Sequence, residues 1–131
     1  MSWLLDTNVL IHAQRGAPAQ VRARLITISP DHAAVSVMSV AELWYGAAKA
    51  AAPEAKRSAW RKYLEGFVVL PFDRAAAELH GELRHELRRE PIGDRDLVIA
   101  CTALVNDLTV VTANVREFAR VPGLRVEDWS A

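Results

Sequence analysis

The chain has 131 residues, 51% of them hydrophobic and 24% charged, which is the make-up of a globular domain and excludes a disordered chain. Sixteen basic residues balance sixteen acidic ones, so no global basic field exists to draw in nucleic acid, and any such contact must be local. One cysteine excludes an intrachain disulfide, and no apolar stretch is long enough to span a bilayer.

Along the chain, short apolar runs alternate with helical periods. This predicts an α/β fold, a central, mainly parallel β-sheet flanked by α-helices, in a single domain over 1–131. Trp3–Leu5 reads as the first strand and ends at Asp6. Thr7 or Asn8 can cap the helix over Asn8–Gln14, which frees the Asp6 carboxylate for other work. A turn at Gly16-Ala17-Pro18 leads to a helix over Ala19–Ile28, and Ser29-Pro30-Asp31 leads to a strand over Ala34–Val37. In the next helix, Val40–Ala50, Ser39 and Glu42 have the spacing of a capping box. Glu42 is therefore either a cap or a ligand, and the residues alone leave both open.

Pro53 suits the first turn of a helix over Pro53–Glu65. A strand over Phe67–Leu70 follows, then Asp73 as N-cap of a helix over Arg74–Arg89. After the turn Pro91-Ile92-Gly93-Asp94, the helix Arg95–Asn106 is apolar nearly all round, so it should be buried with its first turn at the sheet edge. Asp96 would then face the other acids, with Asp94 as a cap. Cys101 in this helix reads as a small buried hydrophobe. The fourth strand, Thr109–Thr112, runs into Asn114 and Glu117, and a last strand is expected over Leu124–Val126. Taken alone, Glu117 is an exposed acid paired with Arg116 or Arg120.

Asp6, Glu42, Asp96 and Glu117 thus all fall at strand–helix junctions. The carboxyl-end edge of a parallel sheet is where open α/β folds place ligands. Carboxylates gathered there repel one another unless a cation neutralises them. Oxygen-only donors suit Mg²⁺ or Mn²⁺, whereas His12, His32, His80 and His85 have no zinc-like spacing. A carboxylate-held Mg²⁺ is suited to activating water against a phosphodiester. Arg15, Arg95 and Arg116 lie close in sequence to the acids and are the candidate contacts to a nucleic-acid phosphate, each otherwise a solvated Arg. Trp44 and Tyr45 follow Glu42 and can stack on bases or pack on a partner, with core packing equally open for Trp44. Trp60 and the helix from Pro53 offer a groove for a partner helix.

Four segments resemble one family in order: LLDTNVLI at Leu4–Ile11, SVAELWYGA at Ser39–Ala47, PIGDRDLVIACTAL at Pro91–Leu104, and VVTANVREFARVPGLRVEDW at Val110–Trp129. They are similar to the PIN-domain family, specifically the VapC toxins of bacterial toxin–antitoxin pairs. The resemblance implies a Mg²⁺-dependent endoribonuclease that inhibits translation, a homodimer, and neutralisation by a VapB-like antitoxin in a higher assembly. It assigns Asp6, Glu42 and Asp96 as catalytic metal ligands. At the fourth acidic position many relatives carry Asp; this chain offers Glu117 as the candidate fourth catalytic acid, with Asn114 as the alternative. Thr112, Asn114 and Asn8 are candidates for supporting or ligand oxygens.

Other strand-end Asp families fit worse. A receiver domain wants a Lys after a late strand, and a dehalogenase-like phosphatase wants an Asp where Asn8 stands. The alternative from another class is a non-catalytic PIN-like subunit whose acids dock an antitoxin Arg and which acts through DNA-bound autoregulation. No basic-then-apolar leader opens the chain, so a cytoplasmic protein is expected.

Overall fold

The computed structural model describes residues 2–131. Strand β1 (Trp3–Leu5) leads through α1 (Thr7–Arg15) and α2 (Ala19–Leu25) to β2 (Ala33–Ser36). Helices α3 (Val37–Ala48) and α4 (Pro53–Leu64) precede β3 (Val68–Leu70). Helices α5 (Arg74–Glu86) and α6 (Asp94–Val105) precede β4 (Thr109–Val111), and a four-residue α7 (Val115–Phe118) leads to β5 (Val126–Glu127). Among the described residues the five strands form one sheet, ordered β3-β2-β1-β4-β5, and every pairing is parallel. The expected mainly parallel sheet is therefore wholly parallel. Strand order reverses between β1 and β4, and a crevice opens at such a switch point beyond the strands' carboxyl ends.

Both faces of the sheet are covered, which explains why its strands read as continuous apolar runs rather than alternating ones. Side chains alternate between two cores. Leu4, Ala34 and Val110 pack with Ala76 and Leu83 of α5 and with Leu97 and Ile99 of α6. Leu5, Val35 and Val111 pack on the other face with Val9, Leu10, Val21, Leu43 and Trp60. Helix α6 is buried at every position from Leu97 to Ala103, as its apolar circumference predicts.

Several boundaries differ from the sequence expectations, each for a local reason. Helix α3 begins at Val37, three residues before the expected Val40, because the buried Ser36 caps it: its Oγ accepts from Met38 N–H at 3.0 Å. Ser39 thus lies inside the helix, and no Ser39–Glu42 capping box exists. Helix α2 stops at Leu25 instead of Ile28. There Thr27 Oγ1 donates to the Arg24 carbonyl at 2.6 Å, a local bond that competes with helix continuation. Helix α5 ends at Glu86, short of Arg89, and β5 covers Val126–Glu127 rather than Leu124–Val126. Asp94 is not a cap. Gly93 holds that position without a side-chain bond, and Asp94 is an exposed first-turn residue.

Candidate active site

Asp6 follows β1 directly and is 7% exposed. Its Oδ1 accepts from Val9 N–H at 2.9 Å, so Asp6 itself caps α1. The expectation that Thr7 or Asn8 would take that task is corrected here. The hydroxyl geometry leaves Thr7 another role: its Oγ1 donates to Glu42 Oε1 at 2.7 Å and lies 2.9 Å from Ser39 Oγ. Capping does not exhaust a carboxylate, which has about four lone-pair sites. The Asp6 backbone N–H donates to the Val111 carbonyl at 3.0 Å at the end of β4, and the fully buried Thr112 hydroxyl beside it pulls the Asp6 carboxyl down. Burial nonetheless pushes the Asp6 carboxyl above its usual range, and the Glu42 charge pushes the same way.

Glu42 projects from the second turn of α3, where the Thr7 hydroxyl sets its orientation and Ser39 Oγ lies beside that hydroxyl. Its other oxygen faces Arg95 across the cleft, 3.9 Å from Nη1. Asp96 sits in the first turn of α6. Its carboxyl is pushed up to about 6, first by burial and then by the charges of Glu117, Asp6 and Glu42, with Arg95 pulling back. These four acids therefore share one electrostatic neighbourhood at the carboxyl edge of β1, β2 and β4.

Glu117 is placed differently. Its Oε1 accepts from Gly93 N–H at 2.8 Å and its Oε2 from Asn114 Nδ2 at 2.6 Å, which together hold its carboxyl below the usual range. Asn114 in turn donates its backbone N–H to Thr112 Oγ1 at 2.9 Å. The expected pairing of Glu117 with Arg116 is absent among the described residues; Arg120 instead pairs with Glu90 at 3.5 Å. Asn8, Glu42, Gly93, Asp94, Arg95 and Asp96 line an open polar cleft of about 480 Å³.

Of the three arginines, Arg95 lines that cleft and Arg15 lines an adjoining groove, while Arg116 is exposed on α7 outside both. The groove, about 380 Å³, runs between α1, α3 and α4 past Ile11, Leu43, Lys56 and the buried Trp60, with Glu42 joining it to the cleft. Trp44 is half-buried beneath the Arg61 guanidinium at 5.6 Å, and Tyr45 is exposed with Lys49 Nζ over its ring at 4.4 Å. A larger cavity, about 660 Å³, lies by Leu25, Tyr63, Phe67 and the first residue of β2, and no acid lines it.

Thr7, Ser39 and the Gly93 N–H were not identified from the sequence as parts of this site. Only Thr7 left a signal there, a hydroxyl directly after a strand-ending acid. Among the described residues, no three acidic, His or Cys side chains already close around one point as a ligand set. Glu42 leans on Thr7, and Glu117 on Gly93 and Asn114. The donors still fit a hard divalent cation, since all are oxygens and Asp96 is repelled by three other carboxylates.

The PIN domain family model matches residues 3–124, and the chain belongs to that family. It is 39% identical over 132 residues to a Shigella flexneri protein named tRNA(fMet)-specific endonuclease VapC, covering 99% of each. A Salmonella typhimurium protein of the same name is 37% identical, covering 98% of each. Among solved structures, DNA-bound VapBC from Salmonella typhimurium matches with a TM-score of 0.90 at 37% identity, covering 98% of both chains. These relatives are thus named VapC endonucleases, and the solved structure is a DNA-bound VapBC complex.

Proposed function

We propose that this chain is a cytoplasmic, Mg²⁺- or Mn²⁺-dependent endoribonuclease toxin that inhibits translation by cutting RNA and is held in check by a VapB-like antitoxin. The observation that carries this reading is the convergence of Asp6, Glu42 and Asp96 from three separate elements, with burial and mutual repulsion raising Asp96. Those three carboxylates are the residues that would hold the ion. When bound, it would supply Lewis acidity, polarising water and phosphoryl oxygens and offsetting negative charge. The protein's own part is orientation. The end of β4 and the α1 N-terminus fix Asp6, and Thr7 fixes Glu42. Arg95, at the cleft mouth with a 66% exposed side chain, can leave Glu42 for a substrate phosphate, which its planar fork matches.

The names of the Shigella and Salmonella relatives make initiator tRNA the first substrate to test. The apolar groove ending at Glu42 is our place for an antitoxin helix, and a homodimer within a larger toxin–antitoxin assembly completes the proposal. The test uses purified chain freed of any partner. Cleavage of initiator tRNA should require Mg²⁺ or Mn²⁺, stop on chelation, and fall at least about a hundredfold in Asp6→Asn and Asp96→Asn. Equal residual cleavage by wild type and both variants would mean contamination and would sink the proposal. The non-catalytic alternative predicts no cleavage by any of them.

A further inference from the structure

The fourth acidic position has a geometry of its own. Glu117 rides on α7, which is fastened to the core by Phe118, fully buried among the α5–α6 residues. From that platform its two oxygens are each taken by a donor, the Gly93 N–H and Asn114 Nδ2. Gly93 is the N-cap position of α6, and its carbonyl accepts from Leu97 N–H at 2.9 Å. A carboxylate there both satisfies a backbone donor and complements the helix dipole. Arg120, one turn further on, donates to the Pro91 carbonyl at 3.0 Å and pairs with Glu90. The segment ahead of α6 is thus gripped twice from the α7 side.

Asp6 is tied to the end of β4 by its backbone, whose N–H donates to the Val111 carbonyl at 3.0 Å. From the next residue the bonds run on: Thr112 Oγ1 accepts from the Asn114 backbone N–H, the Asn114 amide donates to Glu117, and Glu117 accepts from the Gly93 N–H, three residues before Asp96. We propose that Glu117 is a positioning residue: with Asn114 and Thr112 it ties the start of α6, and so Asp96, to the end of β4 that holds Asp6, instead of giving an oxygen to a bound cation. This rests on the proposed role of Asp6 and Asp96.

The experiment compares wild type with Glu117→Gln, Glu117→Ala and Asn114→Ala, all as the full chain. Amide hydrogen exchange over residues 91–97 is followed without metal, Mn²⁺ affinity is measured by calorimetry, and RNA cleavage is split into kcat and KM. Glutamine keeps an oxygen for Gly93 N–H, and Asn114 can turn its own oxygen to the new amide. Glu117→Gln should therefore stay within about threefold of wild type in exchange and Mn²⁺ affinity. Glu117→Ala should exchange about 10–100-fold faster over 91–97 and lose kcat with little change in KM. Asn114→Ala should lie between them, and it decides the matter with Glu117→Gln if Glu117→Ala does not fold. Unchanged exchange in both alanine variants would overturn the proposal. So would a Glu117→Gln protein that loses Mn²⁺ affinity as fully as Glu117→Ala. A wild type that never cleaves RNA sinks the nuclease reading, while the metal-free exchange still tests the clamp.

Discussion

Asp96 carries the clearest conflict between stability and chemistry in the molecule. Its usual value is 3.8 and its folded value about 6, so between those limits the folded chain holds a proton that the unfolded chain has released. Stability from this group is complete below pH 4 and falls as pH rises towards 6, because charging Asp96 in its partly buried site, beside three other carboxylates, opposes folding. Without metal, Asp96→Asn should melt roughly 3 °C above wild type at pH 7.5, and the two should converge near pH 3.5. Added Mn²⁺ should raise the wild-type melting temperature and leave the variant nearly unmoved. A variant no more stable than wild type at pH 7.5 would remove the argument from burial and repulsion.

At the scale of elements, the position of Glu42 depends on where α3 starts. The Ser36 cap starts the helix at Val37, which places Ser39 in the first turn and lets Glu42 meet Thr7. Ser36→Ala should cost about 1 kcal/mol in urea unfolding, the usual loss for a capping hydroxyl. Ser39→Ala removes no cap, so its effect should appear in RNA cleavage through Glu42 rather than as that loss. Equal destabilisation by both would return the cap to Ser39. The thiol of Cys101, in the buried run of α6, is pushed up to about 11 by burial, as befits a packing residue.

Across the whole molecule, the last residues close the sheet over its first strand. Glu127 on β5 accepts from Trp3 Nε1 at 3.3 Å and from Trp129 Nε1 at 3.1 Å, and it pairs with Arg24 of α2 at 3.4 Å. Trp3 and Trp129 meet edge to face with centroids 6.1 Å apart. One acid thus joins residues near both ends of the chain and a helix packed on the same face of the sheet. The Thr112 N–H donates to the Glu127 carbonyl at 2.9 Å, so this strap also backs the strand end that holds Asp6. Glu127→Ala should cost about 1–3 kcal/mol in urea unfolding, since the half-buried Trp3 and buried Trp129 indoles lose their acceptor. An unaltered midpoint would show that the strap holds without it.

The sequence by itself determined the α/β class, the order of elements and the burial of α6, because hydrophobic periodicity is a local signal that survives translation into packing. It also marked Asp6, Glu42 and Asp96, since acids next to buried runs have few places to go. Tertiary structure alone decided how those acids are held. Thr7 and Glu42 lie 35 positions apart, and Gly93 and Glu117 lie 24 apart, so no spacing rule joins them. Competing caps such as Ser36 and Ser39 are equal in composition and differ only in which hydroxyl the end of the strand places at the helix start. The fourth acidic position turned on the same distinction: Glu117 and Asn114 were rival candidates along the chain, and in the fold they are partners.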